Sequence, residues 1–105
     1  MDKRELAELI LVYLAECAEE AGHSYFFFSI NHFAAQIEME NFDELIAALL
    51  LLEGEGLAVP SVGSFGEASA MITAGGLLHV DRGGSTGVIA EYKKDPNAFV
   101  RTRAA

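Results

Sequence analysis

Leu6, Leu9, Ile10, Tyr13, Leu14 and Cys17 recur at i, i+3, i+4, i+7, i+8 and i+11, one face of a helix with 3.6 residues per turn. The spacing predicts a helix over 2–21, and Gly22 supplies its stop. Leu11 and Val12 fall outside that stripe and widen the apolar surface beyond what a peripheral helix needs. They are either covered by the C-terminal part of the chain or available to a second subunit. At 105 residues there is room for one domain and one core, and a hydrophobic fraction of 51% is enough to fill it.

The aromatic run from Tyr25 to Phe28 has strand-like composition and is expected to be a short buried strand. A second helix follows, capped by Ser29, with Ile30, Phe33, Ala34 and Ile37 inward and Asn31, His32, Ala35 and Gln36 outward. After a short turn, Asn41 with Glu44 three residues on resembles a capping box. The third helix is expected from Phe42 to about Glu53, stopped by Gly54 or Gly56. Its inward face is read as Phe42, Leu45, Ile46, Leu49 and Leu52, its outward face as Asp43, Glu44, Ala47, Ala48 and Leu51.

Leu57 to Val62 and Ala68 to Ile72 flank the turn residues Gly63-Ser64-Phe65-Gly66 and read as a hairpin, with Pro60 marking an edge strand. Thr73 can cap a fourth helix running to about Val80. Gly83-Gly84-Ser85-Thr86-Gly87 reads as a loop, 88–94 as either helix or strand, and Pro96 as its stop. The tail from Ala98 is expected to be loosely held.

Charge narrows function. The formal net charge is −9, and no Lys or Arg lies between Glu5 and Asp81. All seven basic residues sit towards the ends, at Lys3, Arg4, Arg82, Lys93, Lys94, Arg101 and Arg103. A phosphate-binding surface cannot be built from the body of such a chain. The longest apolar run, Leu45 to Leu52, is far short of the roughly 20 residues a membrane helix needs. Glu5, Glu8 and Glu16 break up the apolar stretch that a signal peptide would require. The single cysteine, Cys17, cannot pair within the chain, and a reduced, cytoplasmic setting is expected.

The order helix, short strand, helix, turn, helix, hairpin, helix resembles a winged helix-turn-helix domain. Ile72-Thr73-Ala74-Gly75-Gly76-Leu77 is similar to the Ile-Thr-x-x-Gly pattern that closes the wing in bacterial members of that superfamily. The resemblance implies an α+β fold with a three-helix core, a β-hairpin wing and a further C-terminal helix. It divides the chain into a winged-helix-like domain over 1–82 and a Gly-rich loop with a C-terminal tail over 83–105. It also implies DNA binding through the third helix. Base reading wants Arg, Lys, Asn or Gln on the outward face of that helix, and none is expected there or in the hairpin.

Catalytic and metal chemistry find no support in the motifs. His23, His32 and His79 fit no ligand spacing, and Cys17 lacks a nearby cation to stabilise a thiolate. Gly83–Gly87 lacks the Gly-Lys-Ser/Thr of a P-loop, and Gly63-Ser64-Phe65-Gly66 is not a nucleophile elbow. Glu19-Glu20 and Asp43-Glu44 read as solvated helix surface. The expectation is therefore a non-catalytic protein-protein interaction module with no cofactor, most simply a homodimer. Its interface candidates are Leu11, Val12, Ala47, Ala48 and Leu51. The alternatives are a DNA-binding regulator using Lys3, Arg4, Lys93 and Lys94 as a dimer, and a small ligand-binding protein.

Overall fold

Asp2 sets where the first helix begins. Its carboxylate accepts from Glu5 N at 2.8 Å, and the Glu5 carboxylate accepts from Asp2 N at 3.0 Å, a reciprocal cap. In the computed structural model, which describes residues 1–100, helix α1 spans Lys3–Ala21 and ends where Gly22 turns left-handed at φ 82°. Leu6, Ala7, Leu9, Ile10, Leu11, Val12, Leu14 and Ala18 are all buried. An α-helix apolar on so many sides belongs in the middle of a fold, and α1 packs against most of the elements that follow. Leu11 and Val12 are therefore core residues, and the expectation that they form an interface is corrected.

Strand β1 is only Phe28–Ser29, paired with Ala70 and Ser69. Tyr25, Phe26 and Phe27 lie outside it on the surface, against the expected buried strand. The pairing is short because Ile30 N makes the last bond, to Ala68 O at 2.8 Å, before the chain turns into α2, Asn31–Gln36. Ser29 stays in the strand, so it does not cap α2, whose N-cap position is Ile30. Asn31 instead ties the helix to the hairpin: Oδ1 accepts from Ala68 N at 2.6 Å and Nδ2 donates to Gly66 O at 2.9 Å. Ile30, Phe33 and Ala34 are buried as the spacing predicts.

Helix α3, Phe42–Gly54, starts at Asn41, whose side chain accepts from Asp43 N and Glu44 N. Its buried residues are Leu45, Ala48, Leu49 and Leu52. Phe42 and Leu50 are exposed, while Ile46, Ala47 and Leu51 are half-buried. The helix is rotated from the expected register. Ala48 points inward, where its small side chain permits close packing, and Leu50 takes the solvent position assigned to Leu51. The outward face is thus Phe42, Asp43, Glu44, Leu50 and Glu53.

Strands β2, Ala58–Val62, and β3, Ala68–Ile72, form the predicted antiparallel hairpin with Pro60 opposite Ala70. The sheet order is β1-β3-β2, so β2 is an edge that tolerates Pro60. Alternation on β3 buries Ala68, Ala70 and Ile72. Thr73 then caps α4, Ala74–Asp81, accepting from Gly76 N at 2.9 Å while its hydroxyl donates to Gly56 O at 2.6 Å. A Cβ on Gly76 would run into the Leu57 carbonyl and the Ile72 side chain. The Ile-Thr-x-x-Gly stretch is thus a packed corner in which every specified residue has a steric or hydrogen-bonding reason.

Residues 83–100 contribute to the same core. Helix α5 spans Val88–Lys94 and is followed by a 3-10 turn at Pro96–Phe99. Val88, Ile89, Tyr92 and Phe99 are buried in one cluster with α1 and α3. Tyr13 stacks on Phe33 at 4.2 Å, Phe33 meets Tyr92 edge-on, and Tyr92 neighbours Phe99. The expectation of a loosely held tail from Ala98 is corrected for Phe99; Arg101 and Arg103 lie outside the described residues. The architecture is α+β, with helices around a three-stranded antiparallel sheet.

Candidate functional site

A carboxylate in the middle of an apolar helix must find partners or lose its charge. Glu8 is 1% exposed. It faces the loop from Gly83 to Gly87, whose backbone supplies the missing donors. Ser85 N donates to Oε2 at 2.8 Å and Thr86 N to Oε1 at 2.9 Å. The hydroxyls add Ser85 Oγ to Oε2 at 3.1 Å and Thr86 Oγ1 to Oε1 at 2.6 Å. His79 Nε2 from α4 completes the set on Oε2. Because an ionised carboxylate only accepts, that contact puts the proton on Nε2.

Burial opposes the ionisation of Glu8, but hydrogen bonds from Thr86, His79 and Ser85 outweigh it and hold the carboxyl at about 2, against 4.5 ordinarily. A base for neutral-pH chemistry needs a pKa near the working pH and a free lone pair. Glu8 has its charge locked and its oxygens occupied, so it acts as a clamp joining α1, α4 and the loop into α5. Gly84 makes the approach possible: it sits at φ +67°, and a Cβ there would lie 2.8 Å from both Glu8 oxygens. Sequence reading passed over Glu8 as one acid among many. The signal was a charge inside Leu6–Val12, paired with a later loop rich in free N–H groups.

Among the described residues, the basic side chains at the start of α1 and those on α5 do not form one surface. Arg4 makes a two-pronged pair with Glu55 at the end of α3, Nη1 to Oε1 at 2.7 Å. Lys93 Nζ donates to Val80 O at 3.1 Å, while Lys3 and Lys94 are exposed. The Tyr92 hydroxyl donates to Glu16 at 3.1 Å, placing α5 beside the later half of α1. From Arg4 to Glu16 the helix rises about 18 Å, beyond the screening length of about 8–10 Å near physiological salt. The interface candidates fare similarly: Ala48 is buried with Leu11 and Val12, and Ala47 and Leu51 are only half-exposed.

The two most exposed large apolar side chains among the described residues are aromatic. Tyr25 is 86% and Phe65 90% exposed, with Phe26 and Phe27 also open to solvent. Phe65 lies at the hairpin tip, whereas Tyr25–Phe27 lead into β1 at the other end of the hairpin. Next to that run, α1, α4 and α5 enclose a cleft of about 630 Å³, lined by Ser24 among others. Burial pushes the Cys17 thiol up, which disfavours the thiolate. His23 and His32 are exposed, and among the described residues no group of three His, Cys, Asp or Glu is placed to hold a metal ion. No helix among them is long and apolar enough to cross a membrane.

No protein-family model, no curated protein and no solved structure matches this chain.

Proposed function

We propose that the chain is a winged-helix-like module that works by contacting another protein and carries no catalytic chemistry. The connectivity supports the winged-helix reading. One helix and a short strand precede the α2–α3 pair, the hairpin follows, and β1 pairs with the last strand rather than the nearer one in sequence, giving the order β1-β3-β2. The Ile72-Thr73 to Gly76 corner closes that hairpin against α3 and α4.

The observation that carries the contact reading is the outward face of α3, the helix that would read DNA in such a fold. It presents Phe42, Asp43, Glu44, Leu50 and Glu53. Three acids there repel phosphates, while exposed Phe and Leu offer apolar area of the kind that marks protein interfaces. Binding DNA through the termini is disfavoured by the Arg4–Glu55 pair and by the distance between Arg4 and α5. A dimer through Leu11, Val12 and Ala48 is disfavoured because these residues are inside.

Anisotropy titration against double-stranded DNA at 0.15 M salt tests the proposal. No salt-sensitive binding is expected below micromolar protein. Tight binding that weakens in a Lys3, Arg4, Lys93, Lys94 quadruple alanine variant would establish the DNA reading in its place.

A further inference from the structure

The cleft between α1, α4 and α5 has an apolar floor and an acidic rim. Val12, Leu77, Val80 and Tyr92 lie along the floor, and Glu16, Glu19 and Asp81 supply carboxylates. Lys93, which donates to Val80 O, and His23 are the basic groups among the lining residues. Three carboxylates against one ammonium and one imidazole leave the rim negative. Its volume of about 630 Å³ holds several side chains. Ser24 of the wall is followed in the chain by Tyr25, Phe26 and Phe27, whose rings are exposed.

We propose that this cleft and the Tyr25–Phe27 run receive a basic segment of a partner protein that also carries apolar side chains. The inference rests on the protein-contact reading and names the partner's chemistry. Charge complementarity selects the occupant. A segment with Lys or Arg flanking apolar residues sets its cations against Glu16, Glu19 and Asp81 and its apolar groups on Val80 and Tyr92. Tyr25 and Phe26 add faces on which a guanidinium or ammonium stacks. A second copy of this chain is the wrong occupant, because it carries the same net charge of −9 and would set acids against acids.

The test uses a synthetic amphipathic Lys/Leu peptide of about 16 residues, titrated into the full chain at 0.15 M salt. Two double reversals with equal change in net charge are compared. Glu19→Lys with Asp81→Lys alters the rim, and Glu40→Lys with Glu91→Lys alters exposed acids that neither line the cleft nor lie on the outward face of α3. Circular dichroism verifies that each variant folds. The rim reversal is expected to weaken binding about tenfold, since attraction becomes repulsion at two sites, and the control reversal by less than about twofold. Tyr25→Ser with Phe26→Ser, both on the surface, should weaken binding as well and leaves the acids untouched. Equal weakening by both reversals overturns the cleft assignment, as does failure of the wild type to bind. Binding that emerges only after residues 101–105 are deleted assigns the cleft to the chain's own Arg101 and Arg103 and also overturns it. These outcomes leave the protein-contact reading standing, whereas tight DNA binding would remove that reading itself.

Discussion

Replacing Glu8 by Gln keeps the shape of the side chain and removes its charge. The amide also points an N–H2 group at one of the two donor sets, that of Ser85 or that of Thr86, which then has nothing to donate to on that side. The cost follows from the carboxyl's displacement. A drop from 4.5 to about 2 is roughly 2.5 pH units, and at 1.36 kcal/mol per unit the folded state favours the ionised form by about 3 kcal/mol. The whole stability of a domain this size is about 5–15 kcal/mol, so Glu8→Gln should remove a large part of it at pH 7.

The pH dependence separates this account from simple misfit. A carboxyl whose folded pKa is depressed contributes stability that is full above its unfolded pKa and is lost as pH falls through the folded one. At pH 3 the contribution from Glu8 should be down to about 1.4 kcal/mol, while glutamine titrates nowhere. Urea unfolding followed by circular dichroism should therefore show a gap between wild type and Glu8→Gln of about 3 kcal/mol or more at pH 7. The gap should narrow by about 2 kcal/mol at pH 3. Other carboxylates titrate in both proteins and cancel in the difference. A gap of equal size at both pH values would refute the claim that the loop recognises the charge, and a gap under about 1 kcal/mol at pH 7 would refute the clamp altogether.

Gly76→Ala should destabilise by about 1–3 kcal/mol in thermal melts, even though alanine ordinarily favours a helix, because its methyl meets the Leu57 carbonyl. Gly84→Ala should cost about 2–4 kcal/mol, adding a left-handed backbone penalty to contact with Ile89 and the Glu8 oxygens. Leu50→Lys should leave stability within about 0.5 kcal/mol, whereas Leu51→Lys should lower it by about 1–3 kcal/mol without changing the sedimentation profile. The reverse order would restore the register expected from sequence. Ending the chain after Gly84 removes Val88, Ile89, Tyr92, Phe99 and the Ser85 and Thr86 donors to Glu8. That truncation should abolish the folded amide spectrum by NMR.

The parts of the fold that were legible in the sequence are those decided by local chemistry. Asn41 and Thr73 mark helix starts because their side chains bond to the next turn. Gly22, and Gly66 in the hairpin turn, adopt the positive φ that their chain reversals require. What was illegible lacked a local cause. Between Leu45 and Leu52 every residue is apolar, so periodicity has no phase there, and only packing decides that Ala48 rather than Leu51 turns inward. The composition of Tyr25–Phe28 says strand, but how many of its residues pair depends on where β3 ends and α2 begins. Helix α5 was ambiguous because 88–94 is too short for either period, and its partner surface on α1 lies some eighty residues earlier.

Glu8 shows why the candidate site was the least legible part. Its environment is assembled from α1, α4 and the loop before α5, which no window of sequence contains. Helices α1 and α4, with the α5 into which that loop leads, wall the cleft, and Tyr92, held by its hydroxyl bond to Glu16, forms part of the floor. From Glu8 to Glu16 the axis of α1 advances about 12 Å, so clamp and cleft sit at successive levels of one helix. The clamp fixes how α4 and α5 meet α1, and that meeting gives the cleft its width. A charge buried at one level thus serves a surface at the next, and Gly84 leaves the room through which the loop reaches that charge.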